Sequence, residues 1–110
     1  MNIDLIMVGK TDSEEVESLL AMYAKRINRY CRFTVTTLAD VRNTRNMAPN
    51  RQKQLEGEAI LRGVGDGDCL ALMDERGAEY TSPEFAAWMQ KRMSSGVKRL
   101  VMVIGGPYGF

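Results

Sequence analysis

The residues of this sequence best suited to hold a ligand lie in the stretch Gly105–Gly109, which reads Gly-Gly-Pro-Tyr-Gly. It follows the unbroken apolar run Leu100–Ile104, a pattern typical of a strand buried on both faces. Glycines at the end of such a strand allow a sharp turn and let a ligand approach the main chain of Gly105 and Gly106. Because open α/β sheets bind ligands beyond the carboxyl ends of their strands, we expect the functional site at this turn. An ordinary tight turn has the same composition, so the motif alone leaves both interpretations open.

Acidic residues end a second apolar stretch, Cys69–Asp74, which reads Cys-Leu-Ala-Leu-Met-Asp. This stretch is predicted to be a strand, and its apolar composition favours a central place in the sheet. If it lies beside Leu100–Ile104, the carboxyl ends of the two strands form one cleft. Asp74 and Glu75 would then be placed for acid–base chemistry, although acidic residues are also common in turns.

Several classes of site are excluded by residue type. The dinucleotide fingerprint G-x-G-x-x-G follows a first strand, where this sequence reads Val8-Gly9-Lys10-Thr11, and no phosphate-binding loop motif occurs. The chain contains no histidine, which excludes histidine triads, histidine-ligated zinc and an imidazole general base. Cys31 and Cys69 cannot complete a structural zinc site; they could pair, but buried free thiols are favoured. We therefore expect no metal.

The overall composition is that of a soluble globular protein, and the length predicts a single domain spanning residues 1–110. The start of the chain, Met1–Asp4, lacks the basic and apolar regions of a signal peptide. No apolar run approaches the ~20 residues that span a membrane. A cytoplasmic location is expected.

Positive charge is concentrated in one part of the chain. Between Lys25 and Lys53 the only acidic residue is Asp40, so this segment carries +7 while the whole chain carries +1. The basic residues are Lys25, Arg26, Arg29, Arg32, Arg42, Arg45, Arg51 and Lys53. Such asymmetry indicates an anionic partner, nucleic acid first, or alternatively a solvated surface.

Strands and helices are predicted to alternate along the chain. The predicted strands are Asn2–Gly9, Arg32–Leu38, Cys69–Asp74 and Leu100–Ile104. The order βαβαβαβ predicts a mostly parallel sheet covered by helices on both faces. The polar stretch Asp40–Asn50 is predicted to be a long loop.

The three intervening helices are predicted from apolar spacing and capping signals. Thr11 and Glu14 suggest a capping box at the first helix, the second helix covers Gln52–Arg62, and the third starts at Thr81–Glu84. The residues predicted to face inward are Val16, Leu19, Leu20, Tyr23 and Ile27 in the first helix, Leu55, Ala59 and Ile60 in the second, and Phe85, Trp88, Met89 and Met93 in the third.

Several blocks of residues, in this order, resemble one known family. The blocks are Val8-Gly9-Lys10, Tyr23-Ala24-Lys25-Arg26 with Tyr30, Lys53-Gln54-Leu55-Glu56-Gly57-Glu58, Met73-Asp74-Glu75-Arg76-Gly77 with Ser82, and Val103-Ile104-Gly105-Gly106 with Gly109. Together they resemble the ribosomal RNA large subunit methyltransferase H family, of the SPOUT (trefoil-knotted) class, over essentially the whole chain.

The resemblance implies a knotted α/β fold, a homodimer and S-adenosylmethionine as methyl donor. It implies methylation of N3 of a pseudouridine in 23S ribosomal RNA of the large subunit. By position, the cofactor-binding residues that it implies are Met73, where the family usually has leucine, Gly105 and Gly106.

The resemblance also implies a further C-terminal segment that forms the knot and covers the cofactor, and this segment does not occur in these residues. We therefore expect a SPOUT-type sheet without the knot, poor cofactor binding and no activity, and we assign no catalytic residue. Two alternatives stay open: a non-catalytic RNA-binding or dimerisation module of the same fold, and an unrelated flavodoxin-like or nucleotide-binding domain.

Overall fold

Four strands alternate with three helices in the computed structural model, which describes residues 1–9, 13–39, 47–106 and 108–110. The elements in chain order are β1 (Asn2–Val8), α1 (Glu14–Ile27), β2 (Phe33–Leu38), α2 (Pro49–Arg62), β3 (Cys69–Met73), α3 (Ser82–Ser94) and β4 (Arg99–Ile104). The predicted alternation is confirmed, and each strand lies within two residues of its predicted bounds.

The strands form one parallel sheet in the order β2-β1-β4-β3. β4 pairs with β1 on one side and with β3 on the other, so that Met102 lies between Leu5 and Ala71. Leu100, Val101 and Val103 are fully buried, because β4 has a neighbour on each side and is covered on both faces. The predicted parallel pairing of the third and fourth strands is confirmed.

The central place predicted for the third strand is wrong. Among the described residues, β3 pairs with β4 alone and forms an edge of the sheet. Its last two residues, Leu72 and Met73, remain 46% and 51% exposed. Apolar composition reports how much surface a strand could bury and does not report how many neighbours it has.

The first helix begins with a different N-cap residue from the one predicted, because several neighbouring polar residues could serve as the N-cap. α1 begins at Glu14 with Ser13 as its N-cap, whose hydroxyl accepts a hydrogen bond from the Val16 N–H at 3.2 Å. The capping box predicted for Thr11 and Glu14 is therefore wrong, and Thr11 lies outside the described residues. At α3 the predicted signals are confirmed: Thr81 and Glu84 form a reciprocal capping box.

The second helix begins earlier than predicted. α2 starts at Pro49 rather than at Gln52, so the predicted loop ends sooner. Proline suits the first helical position because its fixed φ is already helical and its missing N–H would have no partner there. The helix ends at Arg62, as predicted, with Gly63 as its C-cap.

The apolar face predicted for α1 is only partly buried. No residue of α1 is fully buried, and Val16, Leu19 and Tyr23 are about half exposed. The amphipathic spacing correctly predicts the helix, but in this chain its apolar face is not fully covered.

An ion-pair network links the strands of the sheet at their amino-terminal ends. The Arg99 guanidinium donates from Nε to Asp4 Oδ2 at 2.5 Å, and from Nη1 to Asp68 Oδ2 at 2.6 Å and to the Gly63 carbonyl at 3.0 Å. The Thr34 hydroxyl also donates to Asp4. These bonds join β1, β2, β4 and the turn that leads into β3.

The network lowers the pKa of both carboxyl groups. For Asp4, burial raises the pKa, but hydrogen bonds from Thr34 and Arg99 outweigh it and the net pKa is lowered. For Asp68, a hydrogen bond from the Gly65 N–H is the largest cause of the lowered pKa, and Arg99 adds to it. Both groups therefore stabilise the fold above their unfolded-state pKa, and this stabilisation is lost as the pH falls through the lowered values.

Replacing Arg99 with methionine is expected to lower the free energy of unfolding at pH 7 by about 1–3 kcal/mol, because charged hydrogen bonds are removed. Below about pH 4, where free aspartate protonates, the difference from the wild type should shrink. Thermal unfolding followed by circular dichroism between pH 2.5 and pH 7 measures this. Lys98→Met is the matched control at an exposed neighbour; equal effects of the two substitutions would contradict a role for the network.

Candidate functional site

A cleft of about 280 Å³ lies where β3 and β4 end. It forms there because the two strands are parallel and in register, with Met73 opposite Ile104. The cleft is lined by Met73, Asp74, Glu75, Arg76, Ile104, Gly105, Gly106, Tyr108, Gly109 and Phe110. The structure thus brings together the three residues expected to bind a cofactor, Met73, Gly105 and Gly106, at the predicted edge of the sheet.

Asp74 accepts two hydrogen bonds from the main chain of the turn that follows β3. Its Oδ1 accepts a hydrogen bond from the Arg76 N–H at 3.1 Å, and its carbonyl accepts one from the Gly77 N–H at 2.9 Å. This is an Asx-type turn, in which a short acidic side chain stabilises the main chain two residues further on. Asp74 therefore shapes the rim of the cleft, and Glu75 beside it is exposed.

The side of Gly105 where a side chain would begin faces an aromatic ring. A Cβ atom added to Gly105 would lie 3.0 Å from Cζ of Phe110 and 3.2 Å from both Cε atoms. Phe110 in turn packs against the apolar core. A side chain at this position would therefore require the Phe110 ring to shift by a few tenths of an ångström.

Gly106 is in the same situation with a different neighbour. A Cβ atom there would lie 2.5 Å from both carboxylate oxygens of Glu56 and 2.8 Å from Cδ. Glu56 is buried, at 4% exposure, and its Oε2 accepts a hydrogen bond from Gln52 Nε2 at 3.1 Å. The main chain of Gly106 therefore separates this carboxylate from the cleft.

The buried polar pair on α2 differs from what the sequence predicts. Leu55, Ala59 and Ile60 are predicted to face inward, but only Ile60 is fully buried. The buried face of the helix is Gln52, Glu56 and Ile60, which recur every four residues. That spacing is the available signal, but polar residues are usually assigned to the solvent face.

The glycine turn closes on itself between Gly106 and Gly109. The Gly109 N–H donates to the Gly106 carbonyl at 3.1 Å, and Gly109 has a φ of 72°, which favours glycine. Tyr108, about half exposed, lies at the outer side of the cleft.

A second, larger cavity of about 500 Å³ adjoins the cleft along the outer edge of β3. Met73 and Asp74 line both cavities. The far wall of the second cavity is aromatic and includes Tyr80, Phe85 and Trp88, with the last two rings stacked at 5.9 Å. Apolar surface therefore extends from the cleft to α3.

The basic residues do not form one surface at the cleft. Lys25, Arg26, Arg29 and Arg32 lie where α1 ends and β2 begins, at the edge of the sheet opposite to the cleft. Arg51 and Lys53 lie in the first turns of α2, on the same side as the cleft. Arg42 and Arg45 are outside the described residues.

The described part of the chain contains neither a cluster of metal-binding side chains nor a disulfide bond. It contains no group of three His, Cys, Asp or Glu residues that could hold a metal ion. Cys31 and Cys69 are free, partly buried thiols, as predicted. Among the same residues, no helix is long and apolar enough to cross a membrane.

Comparisons with known proteins give the chain close relatives. A family model described as predicted SPOUT methyltransferase matches residues 1–110. Identity is 46% to the ribosomal RNA large subunit methyltransferase H of Christiangramia forsetii, 44% to that of Porphyromonas gingivalis and 39% to that of Bacteroides fragilis, each over 110 residues. These alignments cover 100% of this chain and 70% of each relative.

Gly105→Ala is expected to destabilise the protein by about 1–3 kcal/mol, because its methyl group would overpack against the Phe110 ring. Combining it with Phe110→Leu should cost less than the sum of the two single changes. Urea unfolding of the two single variants and the double variant measures this coupling. Gly57→Ala, whose Cβ meets nothing within 4 Å, is the control and should be neutral or stabilising. Strict additivity would contradict the contact.

Proposed function

This chain belongs to the SPOUT methyltransferase family, and we propose that it takes part in S-adenosylmethionine-dependent methylation of N3 of a pseudouridine in 23S ribosomal RNA. Membership confirms the family resemblance and removes the flavodoxin-like alternative. A methyltransferase requires a methyl donor. The observation that carries the proposal is the convergence of Met73, Gly105 and Gly106 on one cleft, together with the names of the relatives.

The residues of the cleft suit this cofactor. S-adenosylmethionine combines a flat aromatic base, ribose hydroxyls and an amino acid end that carries both an ammonium and a carboxylate group, and when bound it supplies a methyl group carried on a positively charged sulfur. Met73 and Ile104 present partly exposed apolar surface for the base, and the main chain of Gly105 and Gly106 offers hydrogen-bonding groups. The exposed carboxylate of Glu75 at the rim suits the ammonium group of the amino acid end.

The size of the cleft bears on affinity. Ligand sites typically measure ~300–1,000 Å³ and bury most of the ligand. The cleft of about 280 Å³ lies just below this range and opens to solvent, so we expect weak binding by this chain. We assign binding roles in the cleft and no catalytic residue.

For the RNA, we propose that Arg51 and Lys53 contact phosphates beside the cleft. Both lie on the same side of the sheet as the glycine turn, and no acidic side chain occurs in the first turn of their helix. The N-terminal end of a helix also favours anions. The four basic residues at the opposite edge would contribute less to the complex.

We further propose that the protein acts as a homodimer in the cytoplasm, where ribosomal RNA is found. The support is apolar surface that this chain leaves uncovered: Leu72 and Met73 on the edge strand and Tyr80 and Met93 near α3 are 46–51% exposed. Contiguous exposed apolar patches commonly mark protein interfaces.

Titration of the ¹⁵N-labelled chain with S-adenosylmethionine is expected to shift the amide resonances of Met73, Asp74, Gly105 and Gly106. The amides of Asp4 and Arg99 lie near the amino-terminal ends of β1 and β4, away from the cleft. They serve as internal controls, and their resonances should not shift. NMR is suited to weak binding. Gly105→Val should abolish the shifts. Absence of any shift at millimolar cofactor would contradict the proposed cofactor site.

Replacing Arg51 and Lys53 together with glutamine is expected to weaken binding to a pseudouridine-containing stem-loop of ribosomal RNA. The slope of log affinity against log salt should flatten by about one for each phosphate contact that the substitutions remove. Fluorescence anisotropy over a salt series measures both quantities. Lys25→Gln/Arg26→Gln removes equal charge at the opposite edge and should have the smaller effect. A larger effect there would overturn the assigned RNA surface, and RNA binding without cofactor binding would favour a non-catalytic module.

A further inference from the structure

Glu56 holds a buried carboxylate that the proposed function leaves unused. The residue is 4% exposed, and its Oε2 accepts a hydrogen bond from Gln52. Its other oxygen, Oε1, is buried and has no hydrogen-bond partner among the described residues. Buried polar atoms without partners are rare in folded proteins and call for an explanation at each occurrence.

The unpaired oxygen of Glu56 is explained by the contact between its carboxylate and the glycine turn at Gly106. Both oxygens of Glu56 lie against Gly106, 2.5 Å from where a Cβ would be. Only a hydrogen occupies that position in glycine, and a Cα–H can rest against a carboxylate oxygen as a weak hydrogen-bond donor. The carboxylate therefore sets how closely the turn approaches α2.

A second glutamine–glutamate pair on the same helix shows what burial adds. Gln54 and Glu58 have the same four-residue spacing as Gln52 and Glu56, and Gln54 Nε2 donates to Glu58 Oε1 at 3.5 Å. That pair is exposed and faces solvent. Helix stability alone is served by either pair, so the buried pair has a separate role where it meets Gly106.

We propose that Glu56 is a positioning residue of the cleft: its buried carboxylate supports Gly106 from beneath and so holds the main chain of Gly105 and Gly106 where it lines the binding site. Gln52 fixes the carboxylate by its hydrogen bond. The identity of the ligand rests on the proposed function, but the contact between Glu56 and the turn does not.

The test compares five variants: Glu56→Ala, Glu58→Ala, Glu56→Gln, Gly106→Ala and Gly106→Ala/Glu56→Ala. Amide resonances of Gly105, Gly106 and Gly109 are recorded without ligand, and affinities for S-adenosylmethionine and S-adenosylhomocysteine are then titrated. Glu56→Ala should shift the glycine resonances and weaken both ligands about tenfold, a loss of about 1.4 kcal/mol. Glu58→Ala should change neither. Glu56→Gln, which preserves volume, should retain binding within about threefold.

The double variant tests the geometry directly. Gly106→Ala alone should disturb the turn, because its methyl group meets the carboxylate. Adding Glu56→Ala removes that carboxylate, and the double variant should bind both ligands better than Gly106→Ala does. Where Glu56→Ala fails to fold, Glu56→Asp, which withdraws the carboxylate by one methylene, replaces it.

Other results would overturn the positioning role. These are unchanged glycine resonances in Glu56→Ala, a Glu56→Gln variant as impaired as Glu56→Ala, or a loss confined to the cationic ligand, which would indicate a direct effect of charge. If the wild-type chain binds neither ligand, the proposed cofactor is wrong. The glycine resonances of the ligand-free variants then decide the role of Glu56 alone.

Discussion

The pairing of β4 with a parallel neighbour on each side is the constraint on which the rest of the structure depends. It buries Leu100, Val101 and Val103 completely and so supplies the centre of the core. It also aligns the end of β3 with the end of β4, which places Met73 opposite Ile104. The position of the cleft therefore follows from the register of the strands alone. A change in the register of β4 would disturb the core and the cleft together.

The glycines of the turn are explained first by the protein itself. Their sequence context predicts the close approach of a ligand to Gly105 and Gly106, but their Cβ positions face Phe110 and Glu56. Both contacts lie within the chain: Phe110 is itself part of the cleft lining, whereas Glu56 lies outside it. At Gly106 the turn can present bare main-chain groups to the cleft because its other side is packed against Glu56. Loss of binding in a glycine variant thus reports on this packing as well as on the ligand.

The order of elements could be predicted from the sequence because apolar periodicity reflects burial in each element locally. The position of the cleft could also be predicted, since the carboxyl ends of parallel strands meet on one side of a sheet. What could not be predicted depends on long-range neighbours. Nothing in the composition of β3 shows that it is an edge strand, and nothing in Glu56 shows that it lies beneath Gly106. The concentration of positive charge along the sequence likewise suggests one surface, whereas the described basic residues lie at opposite edges of the sheet.

The amino-terminal and carboxyl-terminal ends of the strands differ in how completely their polar groups are paired. At the edge where the strands begin, Arg99 binds Asp4, Asp68 and the Gly63 carbonyl, and this network stabilises the fold. At the edge where they end, apolar side chains stay half exposed and one oxygen of Glu56 is buried without a hydrogen-bond partner among the described residues. A buried polar atom left without a partner lowers stability. The polar network that stabilises the fold thus lies at the amino-terminal ends of the strands, whereas half-exposed apolar side chains lie at the carboxyl-terminal ends of β3 and β4.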